Sequence, residues 1–233
     1  GGDGIPTGDC DCNGNELDEC GVCGGSGPEQ HFTCEGLFVP VTKNALQTAI
    51  DLWLSDNASA LNTYGEINSW DVSNITNMQN LFSDTDFNSD ISNWDVSNVT
   101  NMVHMFVRCP FDQDLSSWNV SNVTSMSMMF YSSPFNGNIS NWDVSNVSNM
   151  HRMFDSTPYF NQDISTWDID NVNDMVNMFG NGNAMSAENK CAIHTSFSSN
   201  SSWQYDWSED QDCNGACFGD ATLDECGVCE GPG

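Results

Sequence analysis

Large apolar residues return at fixed places through the middle of this chain. The pattern W-D-V-S-N-[VI]-[TS]-N-M places Trp70, Trp94, Trp118, Trp142 and Trp167 at intervals of 24, 24, 24 and 25 residues. A Met (Met78, Met102, Met126, Met150, Met175) and then a Phe (Phe82, Phe106, Phe130, Phe154, Phe179) follow at constant distance. A period in this range marks an array in which each unit touches only its neighbours and cannot bury its apolar face alone. In the second unit the apolar positions are Ile91, Trp94, Val96, Val99, Met102, Met105, Phe106 and Phe111. The alternation Trp94-Asp95-Val96 predicts a short strand. The spacing of Val99, Met102, Met105 and Phe106 predicts a helical or 3₁₀ turn on the opposite side. Five coils are expected, with strands stacked at ~4.8 Å into one parallel sheet.

Flanking segments carry other periods. Ala45, Leu46, Ala49, Ile50, Trp53 and Leu54 recur at one-turn spacing, which predicts an amphipathic helix over 41–55 with Thr42 as N-cap. A second helix is predicted over 186–197 behind Ser186, followed by a lid of Trp203, Tyr205 and Trp207. The expected organisation is a Cys/Gly-rich acidic module (1–34), an N-terminal helical cap (35–62), the coils (63–185), a C-terminal cap (186–208) and a second acidic module (209–233). The caps would cover end coils whose open edges otherwise invite aggregation.

Charge narrows the partners. Lys and Arg number 4 against 33 Asp and Glu, a formal charge of −29. This argues against nucleic acid, whose phosphates need a basic face, and against anionic membranes. No apolar run is long enough for a transmembrane helix. Most of the 11 cysteines lie near the two ends. In an acidic, Asn- and Ser-rich chain such clusters point to disulfides and an extracellular setting.

The spacing Ile91-x-x-Trp94-x-Val96-x-x-Val99-x-x-Met102-x-x-Met105-Phe106-x-x-Cys109, with its W-D-V-S-N-V-T-N-M core, resembles the leucine-rich repeat of BspA-like surface proteins, in the variant found in mycoplasma lipoproteins. The resemblance covers about residues 40–208. It implies a leucine-rich-repeat-like solenoid with helical caps and small disulfide-rich terminal modules, in a non-enzymatic protein of surface display, adhesion or assembly. The end modules resemble each other and the C-G-V-C-G-G-D-G linkers of large secreted proteins. Gly1-Gly2-Asp3-Gly4 fills the slot that follows Cys23 and Cys229, so the chain is expected to be a segment of a longer polypeptide.

Candidate chemistry lies mainly in the modules. Asp9-x-Asp11-x-Asn13-Gly14 and Asp210-x-Asp212-x-Asn214-Gly215 match the first half of a calcium loop, and Asp18 and Asp224 could complete the shells. The Glu that an EF-hand needs at its twelfth position is missing, and an acidic turn inside a disulfide knot is the plainer alternative. Cys10, Cys12, Cys20, Cys23, Cys213, Cys217, Cys226 and Cys229 are expected in structural disulfides rather than in zinc or redox sites, because acidic surroundings oppose thiolates. Cys34 and Cys191 are either paired with these or free, and Cys109 is expected in the core. Eight sequons offer N-glycosylation at Asn57, Asn74, Asn98, Asn119, Asn122, Asn138, Asn146 and Asn200. Asn74, Asn98, Asn122 and Asn146 form one column, which hydrogen-bonded ladders would explain as well. Asp71, Asp95, Asn119, Asp143 and Asp168 form an acidic ladder, expected to be a solvated polar face. His31, His104, His151 and His194 stand in unrelated contexts, and no catalytic motif appears.

Two functions compete. One is an extracellular structural protein that assembles with itself or with neighbouring segments, requiring no cofactor. The other is an adhesion module gripping a host protein or carbohydrate through the strand face bearing Asn93, Asp95, Ser117 and Asn141.

Overall fold

The computed structural model describes residues 10, 13, 15–182, 184–222 and 229. The chain divides into two compact units, Gly1–Asn74 and Ile75–Gly233, so Trp70 of the first repeat falls in the first unit.

In the first unit, α1 (Lys43–Ser55) starts where Thr42 accepts from the Ala45 N–H at 3.2 Å, and it buries Leu46, Ala49 and Ile50. A second helix, α2 (Asn57–Tyr64), follows at once, capped by the Asp56 carboxylate on the Ser59 N–H and hydroxyl. Gly65 (φ 72°) ends it. Trp70 then packs edge-on against Phe38, Trp53 and Tyr64 at 5.2 to 5.9 Å between ring centroids.

The second unit corrects the sequence expectation. Among the described residues there is no β-strand and no sheet, only isolated bridges, so a strand-built leucine-rich-repeat-like solenoid does not form. The parallel bridges run through Asn77, Asn101, Ser125, Asn149 and Asp174, beside the Met positions rather than at Trp-Asp-Val. Each coil is a chain of β-turns. In the second repeat i→i+3 bonds close the turns 91–94, 96–99, 102–105 and 106–109. Asp95 curls the expected strand by accepting from the Ser97 N–H. His104 (φ 59°) and Arg108 (φ 49°), left-handed inside two of these turns, prevent an extended ladder.

Neighbouring coils are nevertheless joined by backbone. The N–H groups of Met102, His104, Phe106 and Arg108 donate to the carbonyls of Ser125, Ser127, Met129 and Tyr131, and the pattern repeats along the stack. At another corner Thr124 returns both its N–H (2.9 Å) and its hydroxyl (3.0 Å) to the Thr100 carbonyl. Inside, like sits on like. Phe82, Phe106, Phe130, Phe154 and Phe179 form a nearly parallel pile with centroids 5.4 to 5.8 Å apart. Phe87, Phe111, Phe135 and Phe160 lie against it, one per coil, at 3.9 to 4.2 Å. The repeat tryptophans Trp70, Trp94, Trp118, Trp142 and Trp167 are at most 4% exposed. Those of the later coils satisfy their indole N–H on the previous coil: Trp118 on Ile91, Trp142 on Leu115 and Trp167 on Ile139.

The last coil finds no further coil to bond. Side chains of the following segment supply the partners: the Tyr205 hydroxyl accepts from the Phe179 N–H at 2.8 Å, and Gln204 donates to the Met175 carbonyl at 3.0 Å. Trp203, Tyr205 and Trp207 ring Phe179. Helix α3 (Ala187–Phe197), capped by Ser186, is held in register by Asn161, which accepts from the Ser186 N–H and the Asn189 amide.

Candidate functional site

One turn recurs in the Cys-rich segments. Asp18 accepts the N–H groups of Cys20 and Val22 on one oxygen and that of Gly27 on the other. Asp212 does the same with Asn214, Ala216 and Ala221. Thr33 repeats a reduced form with Glu35 and Leu37. A left-handed Gly, at Gly21, Gly215 or Gly36, stands three residues after each acceptor, and an antiparallel bridge closes each turn (Leu17 with Cys23, Gln211 with Cys217, Phe32 with Phe38). The amides of Val22 and Ala216 lead in holding these two carboxyls below the ordinary carboxylate range.

This arrangement bears on the calcium expectation. The carboxylates of Asp18 and Asp212 accept backbone N–H groups on both oxygens. Among the described residues no three His, Cys, Asp or Glu side chains gather to hold a metal. Asn13 and Asn214 are exposed, Asp210 closes a short 3₁₀ turn (Ser208–Asp210), and Asp9, Asp11 and Asp224 lie outside the described residues. Disulfides join Cys10–Cys23, Cys20–Cys34, Cys191–Cys217 and Cys213–Cys229. Cys34 and Cys191 are thus bonded to the modules, while Cys12 and Cys226 lie outside the described residues. Cys109 is a buried free thiol that burial pushes up to about 11, hydrogen-bonded to the Phe87 carbonyl.

The acidic ladder is occupied locally. Asp71, Asp95, Asn119, Asp143 and Asp168 each accept the N–H two residues on, and so do Asp90, Asp114, Asn138 and Asp163. Hydrogen bonds from the Ser97 and Ser145 hydroxyls lead in lowering the Asp95 and Asp143 pKa values. Sequence reading missed Asp155, at 1% side-chain exposure, which holds Arg152, the Asn181 N–H and Ser156. The close approach of Gly180, where a Cβ would meet the carboxylate at 2.7 Å, could have signalled it only through the structure.

The histidines do not converge. His104 meets Asn80, His151 lies 3.6 Å from Asp174, and His194 accepts from the Trp203 indole. His31 is left-handed (φ 71°), and its buried Nδ1 has no hydrogen-bond partner among the described residues. It lines a cavity of about 340 Å³ with Phe32, Phe38, Thr63 and Tyr64. The expected binding-face residues Asn93, Asp95, Ser117 and Asn141 are exposed. Ser117 and Asn141 spend their side chains on carbonyls of the preceding coil, those of Ser92 and Ser116.

The sequons separate by what their amides do. Asn122 and Asn146 each donate once, to the Ser97 and Ser121 carbonyls of the preceding coil. Asn200 donates twice, to Ile169 at 2.7 Å and Val172 at 3.0 Å. Asn57 opens α2, and Asn74, Asn98, Asn119 and Asn138 are exposed.

Two overlapping stretches, residues 52–134 and 111–209, match a family described as Mycoplasma protein of unknown function, DUF285. No curated protein and no solved structure matches the chain.

Proposed function

We propose, from the premise that this chain belongs to the DUF285 family of mycoplasma proteins of unknown function, that it is a non-enzymatic structural or assembly protein of the extracellular surface. The observation that carries this is the use made of each repeat. Its large side chains fill the coil interior, and its free backbone groups are spent on the next coil. Conserving a repeat in this way serves a stack, and leaves little chemistry for substrates. Four disulfides support oxidising surroundings, in keeping with the BspA-like surface proteins that the motif resembles. The partners are other copies of the chain or neighbouring segments of the same polypeptide.

Sedimentation and negative-stain microscopy of the purified chain over a wide concentration range test this. Ordered, concentration-dependent assemblies are expected, and a monodisperse monomer throughout would sink the proposal. Adhesion is favoured by one observation, the aromatic-walled cavity at His31, Phe32 and Tyr64, a composition that suits carbohydrate. Glycan-array binding abolished by Tyr64→Ala, with no assembly, would favour adhesion instead.

A further inference from the structure

N-glycosylation joins C1 of a sugar to Nδ2 of asparagine. The bond from C1 to the pyrophosphate of a lipid-linked oligosaccharide breaks, the lipid pyrophosphate leaves, and the amide gives up one proton. Only one N–H then remains on that nitrogen. An asparagine whose two amide hydrogens both serve the fold cannot carry a glycan and keep its place.

Asn200 is in that position. Its amide bridges the Ile169 and Val172 carbonyls and ties the C-terminal lid to the last coil. The column asparagines Asn122 and Asn146 are intermediate, each with one hydrogen on the preceding coil. Neighbours in such a column also stand only about one coil apart, where branched sugars collide. Asn119 and Asn138 differ in kind. Each uses its carbonyl oxygen to receive the N–H and hydroxyl of its own sequon serine, Ser121 or Ser140. Their amide nitrogens make no hydrogen bond among the described residues, and both side chains are exposed. They stand where other coils carry Asp95, Asp143, Asp90, Asp114 and Asp163, positions that need an acceptor and leave the other atom to solvent. Asn57 and Asn74 are likewise exposed.

We propose that the fold sorts the sequons. Asn119 and Asn138, with Asn57 and Asn74, are the N-glycan attachment sites, and Asn200 is closed by the lid it anchors. The inference rests on the extracellular setting proposed above, but not on assembly.

The test is the full chain secreted from a host with an N-glycosylation pathway, with occupancy of each sequon read from glycopeptides by mass spectrometry. Asn119 and Asn138 are expected to be occupied in most molecules, Asn122 and Asn146 in a minority, and Asn200 in none. Ser202→Ala destroys the Asn200 sequon without touching its amide, so secretion is expected to stay within about twofold of the parent. Asn200→Gln is expected to lower both secretion and melting temperature. A glycan on Asn200 in folded secreted protein, even occupancy down the column, or no glycan anywhere would each overturn the proposal. Sedimentation of the same protein after enzymatic removal of its glycans scores assembly separately, so failure of that reading is distinguishable from failure of this one.

Discussion

Several non-glycine residues of the array hold a left-handed backbone, and their chemistry ranges from suited to unsuited. At the third position of the turn that follows each repeat's Met, the chain places Asn80, His104, Met128, Arg152 and Asn177, all at φ between 53° and 59°. Asn tolerates this region because its short amide bonds locally, whereas an unbranched apolar side chain pays the ordinary steric cost of about 1–2 kcal/mol. Met128→Asn is therefore expected to stabilise the protein by up to about 1 kcal/mol, seen as a higher urea midpoint with an unchanged slope. Cys109 makes the opposite point, a residue that looks reactive and is not. Burial raises its thiol to about 11, and the thiolate is the reacting species. Native protein should resist thiol reagents that label Cys109 fully once it is unfolded. Ser133, one coil on, donates to Phe111 as Cys109 donates to Phe87, so Cys109→Ser should cost no more than about 1 kcal/mol.

At the scale of the coil, the energetics favour the column over the cap. Trp118→Ala removes a side chain only 4% exposed and leaves the Ile91 carbonyl without its indole donor. A loss of about 3–5 kcal/mol is expected, and an unchanged melting temperature would refute the packing of these columns. Thr42→Ala removes one cap bond at the start of α1 and should cost about 1 kcal/mol. The contrast explains what the sequence made legible. Both capped helices could be read, because Thr42 and Ser186 are N-cap residues and Thr42 precedes a strongly periodic apolar run. The repeating core could be read too, since identity at fixed spacing forces like side chains together. The backbone between them was misread. Trp94-Asp95-Val96 alternates as a strand does, but the stronger signal was the x-x spacing in Ile91-x-x-Trp94, Val96-x-x-Val99, Met102-x-x-Met105 and Phe106-x-x-Cys109. Each pair brackets a turn closed by an i→i+3 bond, with Asp95 and Asn101 reinforcing corners through bonds to the Ser97 and Val103 amides. Helix α2 was missed because it is short and follows α1 with only Asp56 between them. The Asp155 cluster was missed because Asp155 meets Asn181 only after a whole coil intervenes.

For the whole molecule, acid poses the sharpest question, because two effects of the 33 acidic residues oppose each other. Against a charge of −29, protonation relieves self-repulsion and would stabilise the fold. Yet the fold lowers the pKa of Asp18, Asp95, Asp143, Asp155 and Asp212 by giving each carboxylate hydrogen-bond donors. A group whose folded pKa is depressed contributes stability above its unfolded value, about 4, and loses it as the pH falls through the folded value. The two effects differ in reach. Repulsion between exposed charges is screened over ~10 Å at 0.1 M salt, while the donated hydrogen bonds act at contact and are not. At 0.15 M salt the local effect should therefore win, giving a melting temperature flat above pH 5 that falls steadily below pH 4. Asp155 is the buried one among them. Burial alone would raise its pKa, and the Asn181 N–H, Arg152 and Ser156 together more than reverse that. Asp155→Asn is expected to lower the melting temperature at pH 7 and to flatten the acid limb. At 0.01 M salt the screening length grows to ~30 Å, so the pH 7 melting temperature should drop and recover with added salt. A melting temperature that rose on acidification at 0.15 M would mean that repulsion across the stacked coils, and not the bonding of individual carboxylates, limits the stability of this fold.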